Sequence, residues 1–302
     1  MDTVSTWRAR PLLGTFVEIR SSGATSVATE RAIDAAFAAI ARVHDLMSFH
    51  EADSDVSRLN RDACAGPVSV DPWTHQVLET ALDLHQRSAG AFDIAVAPTL
   101  QRLGLLPGHP AVAEGAPAEA ATSDAIELLP RHHVRFHHPA LKIDLGGIAK
   151  GFAVDRAIDV LRGFDQSGGL VNAGGDLAAF GPSQEAVQVR HPRFPDRVLC
   201  QLAIGDAALA SSGYSFNPLD TDACVATTVV NPLTRKFASN IDGATVRAPS
   251  CIIADALTKV VMIAGERATA LLKDCQVTAL LVLATGEIRV TPDWQDGIRT
   301  PA

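Results

Sequence analysis

Lys142–Arg162 reads KIDLGGIAKGFAVDRAIDVLR, and the rest of the chain is organised around it. Ile143 and Leu145 predict the end of a buried strand, Gly146-Gly147 a turn without Cβ atoms, and Ile148 onward a helix with apolar positions at Ile148, Phe152, Ile158 and Leu161. A strand that breaks at glycines into a helix leaves backbone N–H groups free where the helix starts. Those groups, the positive end of the helix dipole and Lys150 can hold a phosphate or diphosphate. Asp144 stands at the predicted strand end, and Asp155 is a second acid within reach. The competing reading is a strand–helix junction with tight packing glycines and a solvated lysine. GGIAKG lacks the GxxxxGK[ST] spacing of a P-loop, and no GxGxxG follows a predicted strand, so the cradle belongs to neither nucleotide motif.

Outward from this stretch, composition sets bounds. With 302 residues, 47% hydrophobic and 20% charged, the chain can bury a substantial globular core. A formal net charge of -8 with no basic stripe argues against nucleic acid or an anionic membrane surface as a partner. The start, MDTVSTWRARPLLGTF, lacks a positively charged end followed by an apolar run, and no apolar run is long enough to span a bilayer, so a cytoplasmic protein is expected. Five widely spaced cysteines without a CxxC pair are expected to be reduced.

Before the central stretch, alternation from Leu12 to Arg20 predicts a strand, with Gly14 at a bulge or close approach, and Ser26–Met47 has the spacing of a long amphipathic helix. Ser54 caps a short predicted helix, Asp55–Leu59. Val68–Ser88 predicts a strand and then a helix ended by Gly90; Phe92 beside Asp93 opens an apolar segment stopped by Pro98. Residues 106–124, rich in Ala, Pro, Gly and Glu, predict a surface loop or flap. The paired histidines of HHVRFHH (His132–His138) do not converge on one face, which predicts an exposed edge strand rather than a metal site.

After it, GGLVNAGGDLAAFG (Gly168–Gly181) predicts a buried strand and a second glycine turn between Asn172 and Asp176. Ser250–Gly265, SCIIADALTKVVMIAG, has helical apolar spacing interrupted by Asp255, Thr258 and Lys259. An acid in an apolar helix needs a cation, and that cation is Lys259 at i+4 or a metal.

These residues together resemble the ApbE-type family, the FAD:protein FMN transferases (thiamine biosynthesis lipoprotein-like). LLGT (Leu12–Thr15), MSFHEADSDVSRLN, GAFDIAVAP (Gly90–Pro98), KIDLGGIAKGFAVD, NAGGD (Asn172–Asp176), ASSG and ADALTK follow the family's order over nearly the whole chain. The resemblance implies an α+β fold: a single compact domain over residues 1–302, mixed β-sheets flanked by helices, and a ligand cleft between two halves. It implies cleavage of FAD, release of AMP, and attachment of FMN by a phosphoester to a Thr or Ser of an acceptor protein, with Mg²⁺ or another divalent cation. By motif position, Met47, Gly90, Ala91, Phe92, Asp93, Asp144, Gly146, Gly147, Lys150 and Asp155 contact the flavin nucleotide. Asp255, Lys150 and Asp144 carry the chemistry, Gly147 and Asp255 hold the metal, and Thr258 is the candidate for a further ligand.

The chain departs from that pattern in two places. Lys259 stands where many members carry a threonine metal ligand, with Thr258 one place earlier, and HxxDP is replaced by Thr228-Val229-Val230-Asn231-Pro232. Two alternatives to transfer therefore stay open: an FAD pyrophosphatase giving FMN and AMP, and a non-catalytic flavin-binding protein with a degenerate metal site.

Overall fold

The computed structural model describes residues 4–108, 121–213 and 227–299. Most of the 106–124 loop and the only tyrosine, Tyr214, lie outside them. In chain order the strands are β1 (Val4–Leu12), β2 (Thr15–Gly23), β3 (Val68–Ser69), β4 (Ile126–Leu129), β5 (His133–Phe136), β6 (Gly168–Ala173), β7 (Asp176–Phe180), β8 (Glu185–Arg190), β9 (Val198–Ile204), β10 (Ala207–Gly213), β11 (Val230–Asn231), β12 (Lys236–Phe237), β13 (Ile241–Ala248), β14 (Thr278–Leu283), β15 (Ile288–Val290) and β16 (Ile298–Arg299). The α-helices are α1 (Ser26–Met47), α2 (Asp55–Asp62), α3 (Pro72–Arg87), α4 (Ala97–Arg102), α5 (Ala149–Gly163), α6 (Cys251–Ala264) and α7 (Thr269–Asp274). The fold is α+β. The chain divides into two compact units: residues 1–42, 150–229 and 238–302 form one, and residues 43–149 and 230–237 form the other.

The first unit is built on an eight-stranded sheet in the order β1-β2-β6-β7-β10-β13-β14-β15. Every pairing in it is antiparallel. The reason is local: Leu13-Gly14 and Gly174-Gly175, all at positive φ, turn β1 into β2 and β6 into β7 as hairpins. Gly14 is therefore a hairpin residue, and no neighbour crowds it. One face of the sheet carries α6, which packs on β7, β10, β13 and β14. The other is covered by the β8–β9 hairpin, where Val189, Cys200, Leu202 and Ile204 meet Leu177, Leu209, Leu280, Val282 and Trp294. Covered on both sides, β7 is buried at every residue and loses the in–out alternation of a half-exposed strand.

The second unit holds the small sheet β3-β5-β4. β5 lies in its middle, paired on both sides, so the histidine-flanked segment is a central strand and not an edge. Val134 and Phe136 on one face of β5 are buried, which overrides the polar look of its neighbours. Ser54 caps α2 as expected, its Oγ accepting the Ser57 N–H at 3.0 Å. Pro98 sits in the first turn of α4 and starts that helix instead of stopping a segment.

The central stretch forms no strand. Leu141–Leu145 has no regular secondary structure, and the Asn60 side chain satisfies Ile143 in place of a ladder: its Oδ1 accepts the Ile143 N–H at 2.7 Å and its Nδ2 donates to the Ile143 carbonyl at 2.9 Å.

Candidate functional site

In the first unit, four charged side chains converge around the start of α5. Asp255, on the buried face of α6, is wholly inaccessible. Its Oδ2 accepts the Gly151 N–H at 3.0 Å, and its Oδ1 is ion-paired with the Lys259 ammonium. Lys259 also donates to the Asp255 carbonyl at 3.0 Å, so one turn of helix grips the acid at two points. Thr258 Oγ1 donates to that same carbonyl at 2.7 Å and lies 2.7 Å from Ser212 Oγ on β10. The second pair is Lys150 Nζ with Asp176 Oδ2 at 2.9 Å; Asp176, which follows the Gly174-Gly175 turn, is buried.

The electrostatics make these four groups one cluster. Burial works against the Lys150 ammonium, but Asp176 and Asp255 outweigh it and raise its pKa above the usual lysine value. Burial first, and then repulsion from Asp255, holds the Asp176 carboxyl above the usual carboxylate range despite Lys150 and Lys259. Burial likewise pushes the Cys251 thiol well up, so it stays protonated beside them.

The Gly151 N–H in the first turn of α5 is taken by Asp255. A buried carboxylate is an internal anion, and it uses the helix start as a bound one would. Asp155 does the same for α6: its oxygens accept the Cys251 and Ile252 N–H groups at 2.7 and 2.9 Å, capping that helix where Ser250 makes no side-chain bond. Asp155 thus has a structural task that its place near the turn did not disclose.

In the second unit, Asp144 is half-buried, and its Oδ2 accepts the Gly146 N–H at 3.0 Å. Burial, only partly offset by that bond and by His50, raises its pKa. Gly147 lies in the turn that leads into α5. The Gly90–Asp93 turn is held by the protein itself: Asp93 Oδ1 accepts the Ala95 N–H at 2.7 Å and the Ser123 hydroxyl at 2.6 Å, while His85 Nδ1 lies 3.0 Å from the Phe92 carbonyl oxygen. Ala91, Phe92, Asp93 and Met47 are all buried.

The described residues do not fit the divalent cation that the resemblance implies. No group of three or more His, Cys, Asp or Glu is arranged to hold a metal among them. Both Asp255 oxygens are engaged, the position beside Oδ1 is filled by an ammonium, and Thr258 Oγ1 is committed to Ser212 and to the Asp255 carbonyl. A hard cation wants several free oxygens, and this donor set presents a lysine instead.

Sequence reasoning missed Asp176 as a member of the site. NAGGD flagged it beside a glycine turn, but its pairing with Lys150 is made by the fold and leaves no periodic trace.

The ApbE family model matches residues 13–281, and the chain belongs to the ApbE family. Among its relatives, the FAD:protein FMN transferase of Vibrio cholerae serotype O1 is 26% identical over 292 residues, spanning 92% of this chain and 87% of the relative. The FAD:protein FMN transferase of Treponema pallidum is 25% identical over 319 residues, spanning 97% and 88%. The crystal structure of the ApbE protein from Thermotoga maritima superposes with a TM-score of 0.85 at 26% identity, over 98% of this chain and all of that one. A single-residue variant of the flavin transferase ApbE from Vibrio cholerae gives 0.79 at 25% identity, over 97% and 99%. No described helix is long and apolar enough to cross a membrane.

Proposed function

We propose that this protein transfers FMN from FAD to a threonine or serine hydroxyl of an acceptor protein and releases AMP. Membership of the ApbE family, with relatives named FAD:protein FMN transferase along nearly the whole chain, supports the reaction class. The observation that carries it at residue level is Lys150, an ammonium kept charged by buried Asp176 in the first turn of α5 and still over a third exposed along its side chain. Such a group suits the diphosphate oxygens of FAD. In the reaction the acceptor hydroxyl loses its proton, its oxygen bonds to the FMN phosphorus, and the bridging P–O bond breaks with the electron pair on AMP. Lys150 offsets the charge that gathers on the phosphate oxygens. Asp144, Gly146, Gly147, Met47 and the Gly90–Asp93 turn are proposed contacts of the flavin nucleotide on the strength of the resemblance.

Incubating the purified protein with FAD and a threonine-bearing acceptor protein tests this. A fluorescent acceptor band with stoichiometric AMP is expected. Free FMN without acceptor labelling would instead make the protein a pyrophosphatase, and unchanged FAD would reduce it to a flavin binder.

A further inference from the structure

Lys150 and Lys259 are both backed by carboxylates. Asp176 and Asp255, the partners, have side chains 2% and 0% exposed, whereas the two lysine side chains remain 37% and 18% exposed. Each lysine is neutralised on its inner side and keeps its outer side open. An ammonium has three N–H donors. Lys259 spends one on Asp255 Oδ1 and one on the Asp255 carbonyl; Lys150 spends one on Asp176. Among the described residues this leaves one donor on Lys259 and two on Lys150, within a single electrostatic cluster.

Resting on the flavin reading above, we infer that Lys259 is a built-in cation: the flavin diphosphate is held by the Lys150 and Lys259 ammonium groups, and its binding needs no divalent metal. A divalent ion at Asp255 has to displace an ammonium from a fully buried carboxylate and then sit beside two positive lysines in the same cluster. Both steps are unfavourable, since the carboxylate charge is already matched and the added charge is repelled at short range. An ammonium that is covalently part of α6 is present at unit occupancy and does not have to be recruited from solution when the nucleotide arrives. Thr258 and Ser212, tied to each other behind the pair, keep the Asp255 turn in place.

The test is FAD binding followed by flavin fluorescence, on the whole chain, in EDTA and in excess MgCl₂. The unmodified protein should bind FAD equally well in both. In Lys259→Thr, affinity in EDTA should fall by about tenfold or more, the loss of one charge-assisted contact, and Mg²⁺ should restore it at the vacated carboxylate. Lys259→Arg, which keeps a cation there, should stay indifferent to metal. An unmodified protein that binds FAD about tenfold more tightly with Mg²⁺ than with EDTA overturns the inference while leaving the flavin reading intact, and this comparison needs no variant to fold. Failure to bind FAD in either buffer removes the flavin reading and the inference with it.

Discussion

A Cβ built on Gly151 falls 2.2 Å from the Cys251 carbonyl oxygen and 2.8 Å from Asp255 Cβ, so α5 and α6 meet here almost backbone to backbone. That approach lets the Gly151 N–H reach Asp255. Alanine at an ordinary helix position gains about 1 kcal/mol over glycine, but a clash with backbone cannot be relieved by a rotamer change and costs about 1–3 kcal/mol. Gly151→Ala should therefore lower the urea midpoint of unfolding. A midpoint equal to or above that of the parent would show that α5 can slide without cost, and the contact would lose its meaning for the site.

Lys150 does two things that a double substitution separates. Lys150→Ala should weaken FAD binding by about 1.5–3 kcal/mol, and it also leaves the Asp176 carboxylate buried without its cation, costing stability. Adding Asp176→Asn removes the stranded charge. The double variant should regain most of the lost unfolding free energy yet bind FAD as poorly as the single one. Recovery of both in parallel would mean that Lys150 acts on the nucleotide only by keeping the fold together.

Asp155 predicts a pH dependence of stability. Burial raises its pKa from 3.8 to about 6, against the pull of the Cys251 and Ile252 N–H groups and of Arg156, with Asp159 adding to the rise. Between those two pH values the folded chain holds a proton that the unfolded chain has lost. Stability from this group therefore falls as pH rises through 3.8 to about 6 and is level above it. Asp144 and Asp176 shift in the same direction. Denaturant unfolding across that window should show a shallower slope in Asp155→Asn than in the parent; equal slopes would remove Asp155 as the source.

How much of this was legible depended on whether the signal was local. α1 reads off the chain at both ends because Ile33, Phe37, Ile40, Val43 and Met47 repeat at helical spacing with no glycine or proline between them. The Ser54 cap and α6 were equally plain. Ile143–Leu145 misled because apolar alternation says that residues are buried, not what satisfies their backbone, and Asn60 lies far back in the chain. β5 misled through its histidines, since a central strand of a small sheet can bury one face and leave the other polar. The site was half-visible: Lys150, Asp255 and Lys259 carry local patterns, whereas Gly151 and Asp255 meet across 104 residues and Asp176 joins Lys150 only through the β6–β7 hairpin.

Spacing alone makes Asp255→Asn a change in chemistry; burial makes it a change in stability as well. Removing either charge of the Asp255–Lys259 pair strands the other, at a cost of about 3–5 kcal/mol for a fully desolvated partner and less for Lys259, whose stem can carry its ammonium toward water. Lys259→Met should accordingly destabilise more than Asp255→Asn, because Asp255 has no route to solvent and retains only the Gly151 N–H. The double variant, with an amide facing a thioether, carries no stranded charge and should be more stable than Lys259→Met alone, giving a coupling of about 0.5–3 kcal/mol in the cycle. Transfer of FMN to the acceptor should be lost in all three, since none retains the charged pair at the start of α5. Additive losses in urea unfolding would show that the two charges do not depend on each other, and a double variant that labels the acceptor at the parent rate would place the chemistry elsewhere in the molecule.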